Sequence, residues 1–140
     1  LGADGVVIGT RFWASTEALV HPNLHKAAVA AGGDDTLRAR TIDIVRGLDS
    51  WPARYSLRTL RSETTDRWHG KDEELRAVAE TEIKRYAEAV AIGDTRIVSP
   101  LLGEAVGLIH DIAPAAKILE GIIGVAEIIL RQKAPAWVVG

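Results

Sequence analysis

The chain has 140 residues, 47% apolar and 26% charged, which is enough for one compact globular domain and not for several. With 17 basic and 19 acidic residues its formal charge is −2, so there is no global electrostatic case for nucleic acid or an anionic membrane as partner. Cysteine is absent, which excludes disulfides, thiolate nucleophiles and cysteine-ligated metals, and fits a reducing, cytoplasmic setting.

At the start, Leu1-Gly2-Ala3-Asp4-Gly5 offers neither a basic n-region nor an apolar h-region, so no secretory signal is read there. Gly5 to Gly9 (GVVIG) then reads as a short, fully buried strand of the kind found in parallel sheets covered on both faces. Such a strand cannot satisfy its own N–H and C=O groups. Downstream there are few candidate partners, so its neighbours are expected upstream of Leu1. Ser15 and Thr16 ahead of Glu17 read as a helix start, with Pro22 ending or restarting that helix. Pro22 to Ala31 is expected to be helical and to stop at Gly32-Gly33.

Arg40 to Arg46 alternates only in part and reads as a short strand or an extended arm. Gly47 to Pro52 is a loop, with Trp51 held extended before the proline. Leu57 to Trp68 is expected to be helical, although Thr59, Thr64 and Thr65 weaken the propensity. Asp72 to Val90 is the clearest surface helix, with Leu75, Val78, Ala79, Ile83, Tyr86 and Val90 as its buried stripe and Gly93-Asp94 as its stop. After a loop holding Pro100 and Gly103 comes an apolar element, Ala105 to Ile109. Pro114 opens a last helix with Ile118, Leu119, Ile122, Ala126 and Ile129 on its face, and Pro135 is expected to end it. Glu120 and Glu127 interrupt its apolar run, which falls short of the roughly 20 residues a membrane span needs, so the chain is read as soluble.

His21 and His25 stand four apart, a metal-ligand spacing, but Pro22 lies between them and no H-E-x-x-H pattern accompanies them; a capping or solvated role is expected and no metal. His110 beside Asp111 could orient a base, yet the pair reads better as a polar turn near a helix start. Arg38, Arg40, Arg46, Arg54, Arg58, Arg61 and Arg67 are interleaved with Trp51, Tyr55 and Trp68, a mixture able to bind single-stranded nucleic acid or a phosphorylated cofactor. Asp43, Asp49, Glu63 and Asp66 offset that charge, and surface ion pairs explain the pattern at least as well.

Leu1 to Phe12, LGADGVVIGTRF, is the informative stretch. A strand that ends in Gly9-Thr10 and leads into a helix offers unpaired N–H groups, close backbone approach and a hydroxyl donor. A phosphate monoester needs those groups, and they recur after strands 7 and 8 of (β/α)₈ barrels. The stretch resembles the final barrel strand of the FMN-dependent nitronate monooxygenases. Further matches follow in the family's order: Thr16-Glu17, His25-Lys26, and the late segment Gly103, Gly107, Leu108, Ile109, Asp111, Pro114 and Ala115.

The resemblance implies an α/β fold, with residues 1–140 forming the C-terminal portion of one FMN-binding (β/α)₈ (TIM) barrel domain. The last barrel strand would fall at about 5–9, followed by a helical insertion and closing helices. It implies FMN as cofactor, with Val7, Ile8, Gly9 and Thr10 cradling its phosphate and Gly9 and Thr10 as direct donors. Gly103 to Ala105 would lie near the flavin's open face, though Glu104 stands where a neutral polar residue is commoner. The family's catalytic histidine lies in an earlier G-x-x-G-G-H-x-G segment that has no counterpart here, so no catalytic residue is assigned. The implied activity is oxidation of a small-molecule nitronate by dioxygen, lost in the fragment alone, with homo-oligomerisation left open. Two alternatives stand beside it: a flavin-dependent enoyl-acyl carrier protein reductase fragment, and a non-catalytic helical module that docks on a partner.

Overall fold

The computed structural model describes residues 5–52 and 54–138, with side chains up to residue 132. In chain order the elements are α1 (Thr10–Trp13), α2 (Pro22–Ala30), β1 (Thr36–Ala39), α3 (Thr41–Val45), β2 (Leu57–Leu60), α4 (Glu63–Trp68), α5 (Asp72–Ala77), α6 (Ala79–Ile92) and α7 (Ala115–Val138). Short 3₁₀ turns lie at Gly33–Asp35 and Glu104–Leu108.

Local chemistry explains several of these. Pro22 takes the first position of α2, and the His21 imidazole accepts from Asn23 N at 3.2 Å as the cap. Ser62 caps α4: its N–H donates to Thr65 Oγ1 at 2.8 Å while its own hydroxyl accepts from Thr65 N. Gly93 ends α6 in the left-handed region at φ +64°.

Elsewhere tertiary contacts overrule the sequence expectations. Leu57–Leu60 is not the first turn of a helix but a strand, antiparallel to β1 in the register Thr36↔Leu60 through Ala39↔Leu57. Arg40 to Arg46 is not a strand: Thr41–Val45 is a helix whose five residues are all buried, which accounts for the incomplete alternation. The expected single helix over 72–90 breaks at Val78. Its buried line runs through Leu75, Glu82, Tyr86 and Ala89, with Ala79 half-buried, while Val78 and Val90 face outward. Glu82 can join that line because Arg67 and Arg85 approach its carboxylate at 3.3 and 3.4 Å.

A strap formed by residues 96–100 binds these pieces together. Pro100 O accepts from Leu60 N at 3.0 Å and from Thr59 Oγ1 at 2.8 Å. Arg96 O accepts from Glu63 N, and Ile97 O from Thr64 Oγ1, each at 2.8 Å. The Ser62 and Ser99 hydroxyls lie 2.6 Å apart, and the Tyr86 hydroxyl accepts from Ser99 N at 3.1 Å. Around the strap lies one core cluster of Leu24, Ile42, Ile44, Val45, Trp68, Leu75, Tyr86, Ala89 and Val98. A second cluster joins Ala28, Leu60, Leu102 and Val106.

The two ends behave differently from the middle. Gly5 to Gly9 forms no ladder with any described residue, and Val6 and Val7 are 80% and 103% exposed. The expected strand does not form here because a strand needs a partner, and none of the described residues pairs with it. Ser15-Thr16-Glu17 does not start a helix. Ser15 bridges Ala113, Thr16 N donates to Ala113 O at 3.1 Å, and the Glu17 carboxylate accepts from Ala115 N at 2.9 and 3.1 Å. Glu17 therefore caps α7 from 98 residues away, where Ala113-Pro114-Ala115 has no capping side chain of its own. Helix α7 runs past Pro135 to Val138. Of its expected face only Ile118 is buried; Ile122 is half-buried and Leu119, Ala126 and Ile129 are exposed. No helix among the described residues is long and apolar enough to cross a membrane.

Two outcomes test this account. A Cβ at Gly93 would overlap the His21 imidazole and demand a left-handed backbone. Gly93→Ala is therefore expected to cost at least about 1 kcal/mol, measured as a lower urea midpoint. The Ala115 amide holds the Glu17 carboxyl below the usual carboxylate range, so the stabilisation is complete above the ordinary value of 4.5 and is lost as pH falls through the lower folded value. Glu17→Gln should speed hydrogen exchange in the first turn of α7 at neutral pH, with the difference from wild type vanishing in acid.

Candidate functional site

Thr10 begins α1, a four-residue helix preceded by Gly9, which gives no side-chain cap. A helix start leaves its first N–H groups without intrahelical acceptors. The N–H groups of Val7, Ile8 and Gly9 find no backbone acceptor among the described residues, and a Cβ at Gly9 would meet nothing within 4 Å. The stretch from Val7 to Thr10 is thus an open run of donors with room for close approach.

Its far wall is the turn after the strap. Leu102 is buried, and Gly103 N donates to Thr10 Oγ1 at 3.0 Å. A hydroxyl that accepts there still has its hydrogen to donate outward. The turn is itself held by two glycines: a Cβ at Gly33 would lie 2.9 Å from Glu104 O, and one at Gly107 would lie 3.1 Å from Gly33 N. The Gly32-Gly33 pair, expected from the sequence only to stop a helix, therefore also lets two backbone turns pack together.

The charged groups nearby are mostly spent on each other. Arg11 donates to Asp111 O at 2.9 Å and Asp111 Oδ1 at 2.7 Å, tying α1 to the segment before α7. Glu104, which stands where a neutral polar residue is commoner, pairs with Arg58 at 3.0 Å, and Arg58 also donates to Thr36 Oγ1. His110 is exposed, and the neighbouring carboxylate of Asp111 serves Arg11. His25 Nε2 lies 3.2 Å from Trp13 O, its ring edge-on to the indole at 5.4 Å. His21 is the α2 cap. No group of three or more His, Cys, Asp or Glu among the described residues could hold a metal ion.

Of the expected site residues, the fold brings Thr10 against Gly103 and leaves Val7, Ile8 and Gly9 exposed beside them. The roles of Glu17, Arg11 and Arg58 were not foreseen. Two sequence signals bore on Glu17: the Thr16-Glu17 match to the family's order, and an α7 start with no cap of its own.

No family model matches the chain. It is 32% identical over 126 residues to a nitronate monooxygenase of Metarhizium robertsii, a match covering 85% of this chain and 34% of that protein. A nitronate monooxygenase of Neurospora crassa is 32% identical over 121 residues, covering 85% and 31%. Among solved structures, FabK from Thermotoga maritima matches with a TM-score of 0.69 at 27% identity, over 91% of this chain and 38% of that one. A point mutant of the same protein matches with a TM-score of 0.64 at 28% identity, over 96% and 37%. The chain spans about one third of the length of the relatives it matches. Across most of its own length the chain is thus similar in sequence to nitronate monooxygenases, the family that its residues resemble.

Proposed function

We propose that this chain forms the C-terminal part of an FMN-dependent oxidoreductase that oxidises nitronates with dioxygen, its Val7–Thr10 stretch holding the FMN phosphate. The observation that carries the proposal is the contact between Thr10 and Gly103, which leaves the Thr10 hydroxyl hydrogen free to donate near the open N–H groups of Val7, Ile8 and Gly9. Exposed amide and hydroxyl donors along one stretch suit a phosphate dianion. The residues present therefore fit the phosphate end of the cofactor.

Bound FMN supplies the electron acceptor for the nitronate and the route to dioxygen. The chain's own part is to bind and orient it, and no proton-transfer role is given to any residue here. A complete (β/α)₈ barrel takes about 250 residues. The remaining strands would pair with Gly5 to Gly9 and cover Val6 and Val7. Location in the cytoplasm belongs to the same proposal. The alternative, a flavin-dependent enoyl-acyl carrier protein reductase, draws its support from the likeness to FabK.

FMN fluorescence quenching tests the reading, with the cofactor titrated into the chain alone and into a chimera that places it after the N-terminal two-thirds of the Neurospora crassa relative. Binding by the chimera alone is expected, weakened about tenfold by Thr10→Val through loss of one charge-assisted hydrogen bond. In the reconstituted chimera, oxygen uptake on a small alkyl nitronate marks the monooxygenase, and reduction of an enoyl thioester by a nicotinamide donor marks the reductase. No binding by either protein would leave the helical docking module as the better account.

A further inference from the structure

A small cavity of about 200 Å³, lined by Asp43, Trp51, Tyr55, Ser56 and Leu57, lies between α3 and the loop that leads into β2. Asp43 belongs to its wall and is only 2% exposed, yet its Oδ1 has no hydrogen-bond partner among the described residues. A buried carboxylate oxygen without a donor is a costly arrangement unless something compensates it. The nearest cation is only partly engaged: one terminal nitrogen of Arg40 donates to Asp49 Oδ1 at 2.6 Å and to Trp51 O at 3.2 Å, while its buried Nε has no partner among the described residues. Arg76 takes the other side of Asp49. Burial pushes the Asp43 carboxyl above its ordinary range despite the pull of Arg40 and Arg46.

The rest of the wall is chemically selective. Trp51 and Tyr55 meet edge to face with ring centroids 6.4 Å apart, and both remain about half exposed although the cavity is formed between them. Aromatic faces attract a cation and repel an anion. Ser56 adds a hydroxyl and Leu57 an apolar surface for a short alkyl group. An anionic acceptor, two aromatic rings and one hydroxyl around a space this small match an ammonium head with a few carbons behind it.

We propose that the cavity of Asp43, Trp51 and Tyr55 binds the ammonium group of a small primary amine. Asp43 accepts from the ammonium, the rings flank its charge, and Leu57 packs the alkyl portion. The site does not depend on the flavin or on the reading of Thr10.

The test uses n-butylammonium chloride as probe and n-butanol as its neutral isostere, titrated into the 140-residue chain. Binding is followed at the Trp51 indole N–H by NMR, that signal being assigned with Trp51→Phe. Saturable shifts with the ammonium and none with the alcohol are expected. Asp43→Asn should weaken binding at least tenfold. Because Asp43 is buried and its replacement bears on folding, Trp51→Leu at an exposed position gives a second reading, with several-fold weakening expected at the Ser56 and Leu57 amides. Equal shifts with ammonium and alcohol, no saturable shift at all, or unchanged affinity in the folded variants would overturn the proposal.

Discussion

The organisation of this chain depends on a buried line of hydroxyl groups. Thr59, Thr64 and Ser62 project from β2 and α4 onto the strap of residues 96–100, which lacks a regular ladder of its own. The backbone of an irregular buried segment needs acceptors and donors from somewhere, because an unpaired group there costs the full loss of its hydration. Threonine and serine supply them at short range with little side-chain entropy to lose. Tyr86 closes the network from α6, its phenol pushed up by burial and serving the backbone of Ser99 at both N–H and C=O. Deleting one member would leave its partner unsatisfied, so the network holds or fails largely as a unit.

The position of the candidate site follows from that constraint. Once Pro100 is held on β2, Leu102 drops into the second core cluster and Gly103 arrives beside Thr10. The close glycine contacts between the turns at Gly33 and Glu104 remove the remaining freedom of that segment. Arg11 and Glu17 then fasten the N-terminal arm to the entry of α7 by ion pairing and capping. Three separated regions of sequence thus meet at one point, and the N–H groups of Val7, Ile8 and Gly9 are left on the outside of it.

The basic middle section has an equally local explanation. Arg40 and Arg76 share Asp49, Arg61 faces Asp66, and Arg67 reaches Glu82 while its guanidinium stacks on Trp68 at 4.7 Å. Each of these four arginines is held by a carboxylate of the chain itself. The interleaving of arginine and aromatic residues thus organises the surface around α3, α4 and α6.

At most proline and glycine boundaries the amino-acid sequence alone was sufficient, Pro135 inside α7 being the exception. Pro22 opening α2, Gly32-Gly33 ending it, Gly93 stopping α6 and Pro114 preceding α7 all act within a few residues, through a fixed φ, a missing N–H or a tolerated left-handed turn. The resemblance to nitronate monooxygenases was likewise legible, because it rests on runs of residue types rather than on contacts. What tertiary structure decided was everything that needs a distant partner. Leu57–Leu60 became a strand because β1 was available, and Gly5–Gly9 did not because none of the described residues paired with it. The buried line of α5 and α6 shifted from Val78 and Val90 to Glu82 and Ala89 because Arg67 and Arg85 neutralise the carboxylate. Glu17 left its own helix start to cap another. Hydrogen-bond and charge partners lie far apart along the chain, and periodicity carries no information about which of them will meet.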